Sequence, residues 1–277
     1  MLKQHLKPLE EDKPVYSEAI PWEEINLMAQ RLFNKNRRKK EQLISRLRTF
    51  ITKATDKDFL IIHSPGGWGN TEWDGLLDWE KSIVTGVTAT LEKFGYSYAV
   101  VQYFRSGNSW VRYVKDIVKE ARFFFTGASP QAEVMSEELK IITQHLAGLN
   151  VILVGASQGA AFNNAAMRKL GNQERVYSIE LGTFFPHMPR RIVTERTLAI
   201  DSNGLMSDPM CHRNLWAGTR SYIGAFYRWF KSWAQGKPMK FTHCINTPGH
   251  EYQWEYPGVH TNITEFLTAR FGMRSRS

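Results

Sequence analysis

The chain has 277 residues, 42% of them hydrophobic, with a formal charge of +9 at pH 7 and a pI near 9.5. That length suits one large α/β domain or two small ones, and no run approaches the ~20 apolar residues that would span a bilayer. Cys211 and Cys244 are too few for a disulfide framework and too far apart for a zinc pattern, and the N-terminus lacks the apolar core of a signal peptide. The expectation is a cytoplasmic protein in a reducing compartment, with room for peripheral contact with an anionic membrane.

Residues 1–21 are polar, punctuated by Pro8, Pro14 and Pro21, and read as an extended arm. From Trp22 a helical period begins with Leu27, Met28, Leu32 and Phe33, and resumes with Leu43, Ile44, Leu47 and Ile51. Between Met28 and Lys53 stand nine basic residues, Arg37-Arg38-Lys39-Lys40 at their centre, against one acid, Glu41. Two readings stay open for residues 28–53: a patch for an anionic surface, or the solvated back of helices whose apolar stripe packs inward. No specific nucleic acid is expected, and the pattern does not set the oligomeric state. Residues 1–57 are thus an arm with basic amphipathic helices, and 58–277 form the main domain.

Asp58 to His63 is a buried-strand run, broken by Ser64-Pro65-Gly66-Gly67-Trp68-Gly69-Asn70. A helix from Asp78 to Phe94 and a strand from Tyr98 to Phe104 follow, and two strands joined by a helix imply a parallel crossover. After an aromatic, basic stretch with Trp110 and Tyr113, a helix from Pro130 to Leu146 leads to Val151-Ile152-Leu153-Val154-Gly155-Ala156-Ser157-Gln158-Gly159-Ala160-Ala161. This reads as a strand entering Gly-x-Ser-x-Gly and leaving as a helix, the context of a nucleophile elbow. The turn is so tight that side chains at Gly155 or Gly159 would collide with their neighbours. Further strands are expected at Arg175–Leu181, Arg196–Ser202 and Phe241–Thr247, with a final helix over Thr261–Phe271. Within 212–238, Trp216, Ile223, Phe226, Phe230 and Trp233 share one helical face opposite Arg220, Arg228 and Lys231. That stripe either packs on the sheet or forms a small lid over an apolar pocket.

On the elbow and the order of elements from 58 to 272, the chain resembles the α/β-hydrolase superfamily. Gly-Ala-Ser-Gln-Gly-Ala is similar to the elbow of cutinase-like serine esterases. The resemblance implies an α/β-hydrolase-like, mostly parallel sheet of about six or more strands flanked by helices. It also implies the chain order Ser, acid, His, with Ser157 as nucleophile. Gly204 followed by Asp208-Pro209 resembles the superfamily's strand-to-acid loop, which makes Asp208 the acid and Asp201, at the strand end, its rival. Position leaves His250, on a Pro-Gly loop after the last strand, as the base, with His260 as the alternative. The oxyanion hole would combine the Gln158 N–H with one from Gly66, Gly67 or Trp68, since Pro65 has none to give.

These roles describe a serine hydrolase acting on a small-molecule or lipid-like acyl ester or thioester, a chemistry that needs no cofactor and no metal. Trp68, Trp73, Trp110, Tyr252 and Trp254 are candidates for an apolar substrate mouth. The same residues would serve an acyltransferase, and a hydrolase-fold binding protein docked through residues 28–53 is the reading from another class.

Overall fold

The computed structural model describes residues 22–67, 69, 71–105, 123, 129–212, 215–236, 244 and 247–272, with 213–222 carrying no described side chains. The expected arm, Trp68, Trp110, Tyr113 and most of the strand expected at 241–247 lie outside the described residues. The chain divides into two compact units, Met1–Ile44 and Ser45–Ser277. In the first, α1 (Trp22–Phe33) buries Ile25, Met28 and Ala29. Asn34, at φ 42, ends it just before α2 (Arg37–Ala54). Leu27, expected on the packed stripe, is exposed.

Among the described residues the second unit is built on a five-stranded, all-parallel sheet in the order β2-β1-β3-β4-β5, fewer than the six or more strands expected. Its strands are β1 (Phe59–Ser64), β2 (Tyr98–Gln102), β3 (Asn150–Ala156), β4 (Val176–Leu181) and β5 (Thr197–Ile200). Strands buried on both faces read as unbroken apolar runs, and all six residues of β1 are buried. One face places Phe59, Ile61, Ile152, Val154, Ala156, Ile179 and Leu181 against α3 (Asp78–Lys93) and α7 (Pro257–Phe271). The other carries α4 (Pro130–His145) and α5 (Gln158–Leu170). Ser129 caps α4 by accepting the Ala132 N–H at 3.1 Å, with Pro130 at the first helical position. Pro257 opens α7 in the same way, earlier than Thr261, because its fixed φ already suits a first turn.

Strand order locates the site. From β1 the chain crosses outward to β2, then returns to β3 on the other side of β1 and continues away through β4 and β5. The crossovers diverge between β1 and β3, leaving a crevice at the carboxyl ends of those strands, where ligands bind in open α/β sheets. The loop after β1 begins there with Pro65, and the turn after β3 there is Ser157.

Of the two readings of the 212–238 stripe, packing on the sheet is not what helix α6 (Leu215–Ala234) does. Its aromatic stripe faces solvent, with Ile223, Tyr227, Phe230 and Trp233 exposed, while Ala225 and Ser232 on the opposite side are buried. Among the described residues no helix is long and apolar enough to cross a membrane.

Candidate active site

Ser157 sits between β3 and α5 at φ 53, ψ −112, a region that costs a non-glycine residue about 1–3 kcal/mol and persists only when its surroundings impose it. They do so from three sides. The Ser157 N–H donates to the Leu181 carbonyl at the end of β4 (2.8 Å). A Cβ on Gly155 would come within 2.6 Å of Asn163 Nδ2 and 2.7 Å of the Gly159 carbonyl carbon. One on Gly159 would come within 2.1 Å of the Ser64 carbonyl, so only a bare backbone lets α5 start against the end of β1. The Ser157 hydroxyl does not cap the helix behind it, which leaves it free for chemistry at the helix's positive end.

Buried side chains brace the elbow from below. Ser64 Oγ donates to Asn163 Oδ1 at 2.6 Å, tying α5 to β1. Asn164 Nδ2 donates to both carboxyl oxygens of Glu180 (3.1 and 3.0 Å) and to the Ile192 carbonyl (2.8 Å), tying α5 to β4. Burial pushes the Glu180 carboxyl up to about 8, against the pull of its Asn164 and Ser178 hydrogen bonds. Folding therefore favours the protonated acid. Stability is fullest below the unfolded value of 4.5 and falls as pH rises toward about 8. Glu180→Gln, which cannot ionise, should gain on the wild type by a few degrees of Tm between pH 5 and pH 9, read by thermal unfolding. A gap that does not change with pH would refute this.

The other partners converge on Gly182, the residue after Leu181. At φ +57, its missing Cβ would lie 2.6 Å from Asp208 Oδ2, 2.8 Å from Tyr252 Cε2 and 2.9 Å from His250 Cε1. Since Leu181 pairs with Ala156, these three groups are packed over the strand end beside the serine. His250 Nδ1 lies 2.6 Å from Asp208 Oδ2, and the Tyr252 hydroxyl donates to the same oxygen at 2.6 Å. Asp208 Oδ1 accepts the Met210 N–H at 2.7 Å, and the Cys211 thiol lies 3.4 Å from Oδ2. Burial alone would raise the Asp208 carboxyl. The hydrogen bond and charge of His250, with the Tyr252 hydroxyl and the Met210 N–H, outweigh it and hold the group below its ordinary value. Burial and the Asp208 charge push both the Tyr252 hydroxyl and the Cys211 thiol well up, so both remain protonated donors.

The rival residues are engaged elsewhere. Asp201 forms a two-pronged pair with Arg191 (2.7 and 2.8 Å). His260 is exposed on α7 with its ring edge-on to Trp254 at 5.0 Å.

The loop after β1 lies against the elbow, since a Cβ on Gly66 would be 3.4 Å from the Ala156 carbonyl. Its carbonyls are held from behind. Arg105, buried, donates from Nη2 to Pro65 O (3.0 Å) and Gly67 O (2.6 Å), and from its backbone N–H to Gly69 O (2.8 Å). The Gly66 N–H donates to Glu80 Oε2 at 3.4 Å. Of the expected oxyanion donors Gly66 is thus already engaged, Gly67 lies in the loop at φ 53, and Trp68 is outside the described residues. Burial raises Glu80 to about 7 and lowers His63 to about 4. Their 3.6 Å approach is therefore not an ion pair, because His63 stays neutral.

Sequence reasoning missed Arg105 and the role of Tyr252, which no motif marks. Tyr252 was expected at a substrate mouth and instead donates its hydroxyl to buried Asp208. Trp254, expected there too, packs its ring on α3 where a Cβ on Gly86 would come within 2.0 Å. Among the described residues, no group of three or more His, Cys, Asp or Glu side chains gathers as a metal site.

Neither a protein-family model nor a curated protein matches the chain. Solved structures similar to it include the Trichoderma reesei cutinase in complex with a phosphonate inhibitor, at TM-score 0.44 and 13% identity over 89% of this chain and 99% of that one. A cutinase-like protein from Cryptococcus sp. is similar at TM-score 0.41 and 14% identity, over 77% and 95%. With its parallel sheet, its strand-turn-helix at Ser157 and helices on both faces, the chain has a doubly wound α/β fold.

Proposed function

We propose that the chain is a serine hydrolase that cleaves a carboxylic ester or thioester through an acyl-enzyme. The observation that carries this reading is the packing of Asp208 and His250 onto Gly182, beside a serine held at positive φ between a strand and a helix. An ionised carboxylate only accepts hydrogen bonds, so the proton between His250 and Asp208 sits on Nδ1. That leaves the Nε2 lone pair as the base. His250 takes the Ser157 proton as Oγ attacks the acyl carbon. The oxyanion is held by the Gln158 N–H at the start of α5 and an N–H of the Gly67-Trp68 stretch. Collapse breaks the bond to the leaving alcohol or thiol, which departs with the proton from His250. Water then repeats the cycle and frees the acid.

The test is reaction of the full chain with a fluorophosphonate probe, with the adduct mapped by mass spectrometry. A single adduct on Ser157 is the expected result. An adduct elsewhere, or none on a protein with a cooperative unfolding transition, would overturn the assignment.

A further inference from the structure

We propose that α6 docks the protein on an anionic lipid surface, with Ile223, Tyr227, Phe230 and Trp233 entering the boundary between headgroups and acyl chains. These side chains are 67%, 69%, 63% and 61% exposed. At about 100° per residue they fall within an arc of roughly 120°. A large apolar patch is unusual on a soluble surface and marks an interaction site when its residues are contiguous. The helix does not need that face for its own packing. It seats itself through the buried Ala225 and Ser232, and the Arg228 guanidinium donates from Nε to the Cys244 carbonyl at 2.6 Å. Half-buried Trp229 meets Phe230 at 5.1 Å and Trp233 at 6.0 Å, both edge-on, so the outer rings are held in place from behind.

Charge selects the occupant. The stretch from Leu215 to Lys240 contains Arg220, Arg228, Lys231, Lys237 and Lys240 and no acid, in a chain of net charge +9. Lys231 is exposed beside the apolar arc. Two copies meeting through this face would set Lys231 against its like, whereas lipid phosphates complement it. Tyrosine and tryptophan suit the interface because one end of each is apolar and the other polar. The helix lies between Asp208 and His250 in the chain, so lipid contact there acts on the segment that joins acid to base.

The full chain should float with vesicles of phosphatidylcholine containing phosphatidylglycerol, less with phosphatidylcholine alone, and less as salt rises. Its tryptophan emission should shift to the blue on binding. The double variant Phe230→Ser, Trp233→Ser should bind at least about tenfold more weakly, because it loses two buried rings. Lys231→Glu should weaken binding to the anionic vesicles alone. Since these rings face water, Tm should not fall. A wild type that stays with the soluble fraction, a double variant that binds undiminished, or one that melts much earlier would overturn the proposal. So would self-association of the wild type in vesicle-free solution that the double variant abolishes, because the face would then serve a second copy.

Discussion

Asp208→Asn should lower kcat on a p-nitrophenyl ester by about 10^4-fold, the scale seen when the acid of a serine triad is neutralised in place. An asparagine oxygen could still accept from Nδ1, but its NH2 would compete for the same position and favour the wrong imidazole tautomer. The other contacts sharpen the case. Tyr252 donates to Oδ2 and the Met210 N–H to Oδ1, so an amide, with a single oxygen, can accept from only one of them and turns its NH2 on the other. Asp201→Asn is the matched control. It removes the same charge 3.7 Å from Cys211, but it breaks the Arg191 pair instead of the His250 pair. Stability should suffer there, while kcat on the folded fraction falls less than about tenfold. Equal losses, or a larger loss at Asp201, would reassign the acid.

What the chain reveals before folding depends on how far each constraint reaches along it. The elbow is readable because all its requirements are contiguous, from Val151 to Ala161: an apolar run, two glycines around a serine, and small residues after. The parallel order of strands is readable because alternating strands and helices leave few other arrangements. The choice between Asp201 and Asp208 is not local. Both follow β5, and what engages Asp201 elsewhere is Arg191, ten residues upstream of it. Tyr252 and Trp254 are two apart and both aromatic, yet one reaches a buried carboxylate and the other a glycine on α3. Nothing in their types separates them. The α6 stripe is visible as a period, but its direction is set by Ala225 and Ser232, whose small size lets the opposite face pack. Amphipathic spacing identifies two faces without saying which one the protein keeps.

Arg105→Met should lower kcat by about 10²- to 10³-fold with KM changed far less, the cost of losing one well-placed oxyanion donor. The argument rests on where the loop's peptide dipoles point. Arg105 gathers the carbonyls of Pro65 and Gly67 on one guanidinium nitrogen and that of Gly69 on its own N–H. Each peptide whose carbonyl is turned toward the guanidinium has its N–H turned the other way. If this loop supplies an oxyanion donor, as proposed above, Arg105 is the side chain that holds its peptides in place. The guanidinium also lies 5.7 Å from the Phe162 ring on α5, which couples loop and elbow through one side chain. Arg105→Lys keeps the charge, but a single ammonium cannot match the planar fork, so it should recover only part of the rate. Active sites would be counted with the fluorophosphonate probe so that misfolded protein does not enter kcat. If the loss appears in the number of titratable sites and kcat per site stays at the wild-type value, Arg105 only supports the fold. If kcat per site falls and lysine partly restores it, the loop after β1 is the second half of the oxyanion hole.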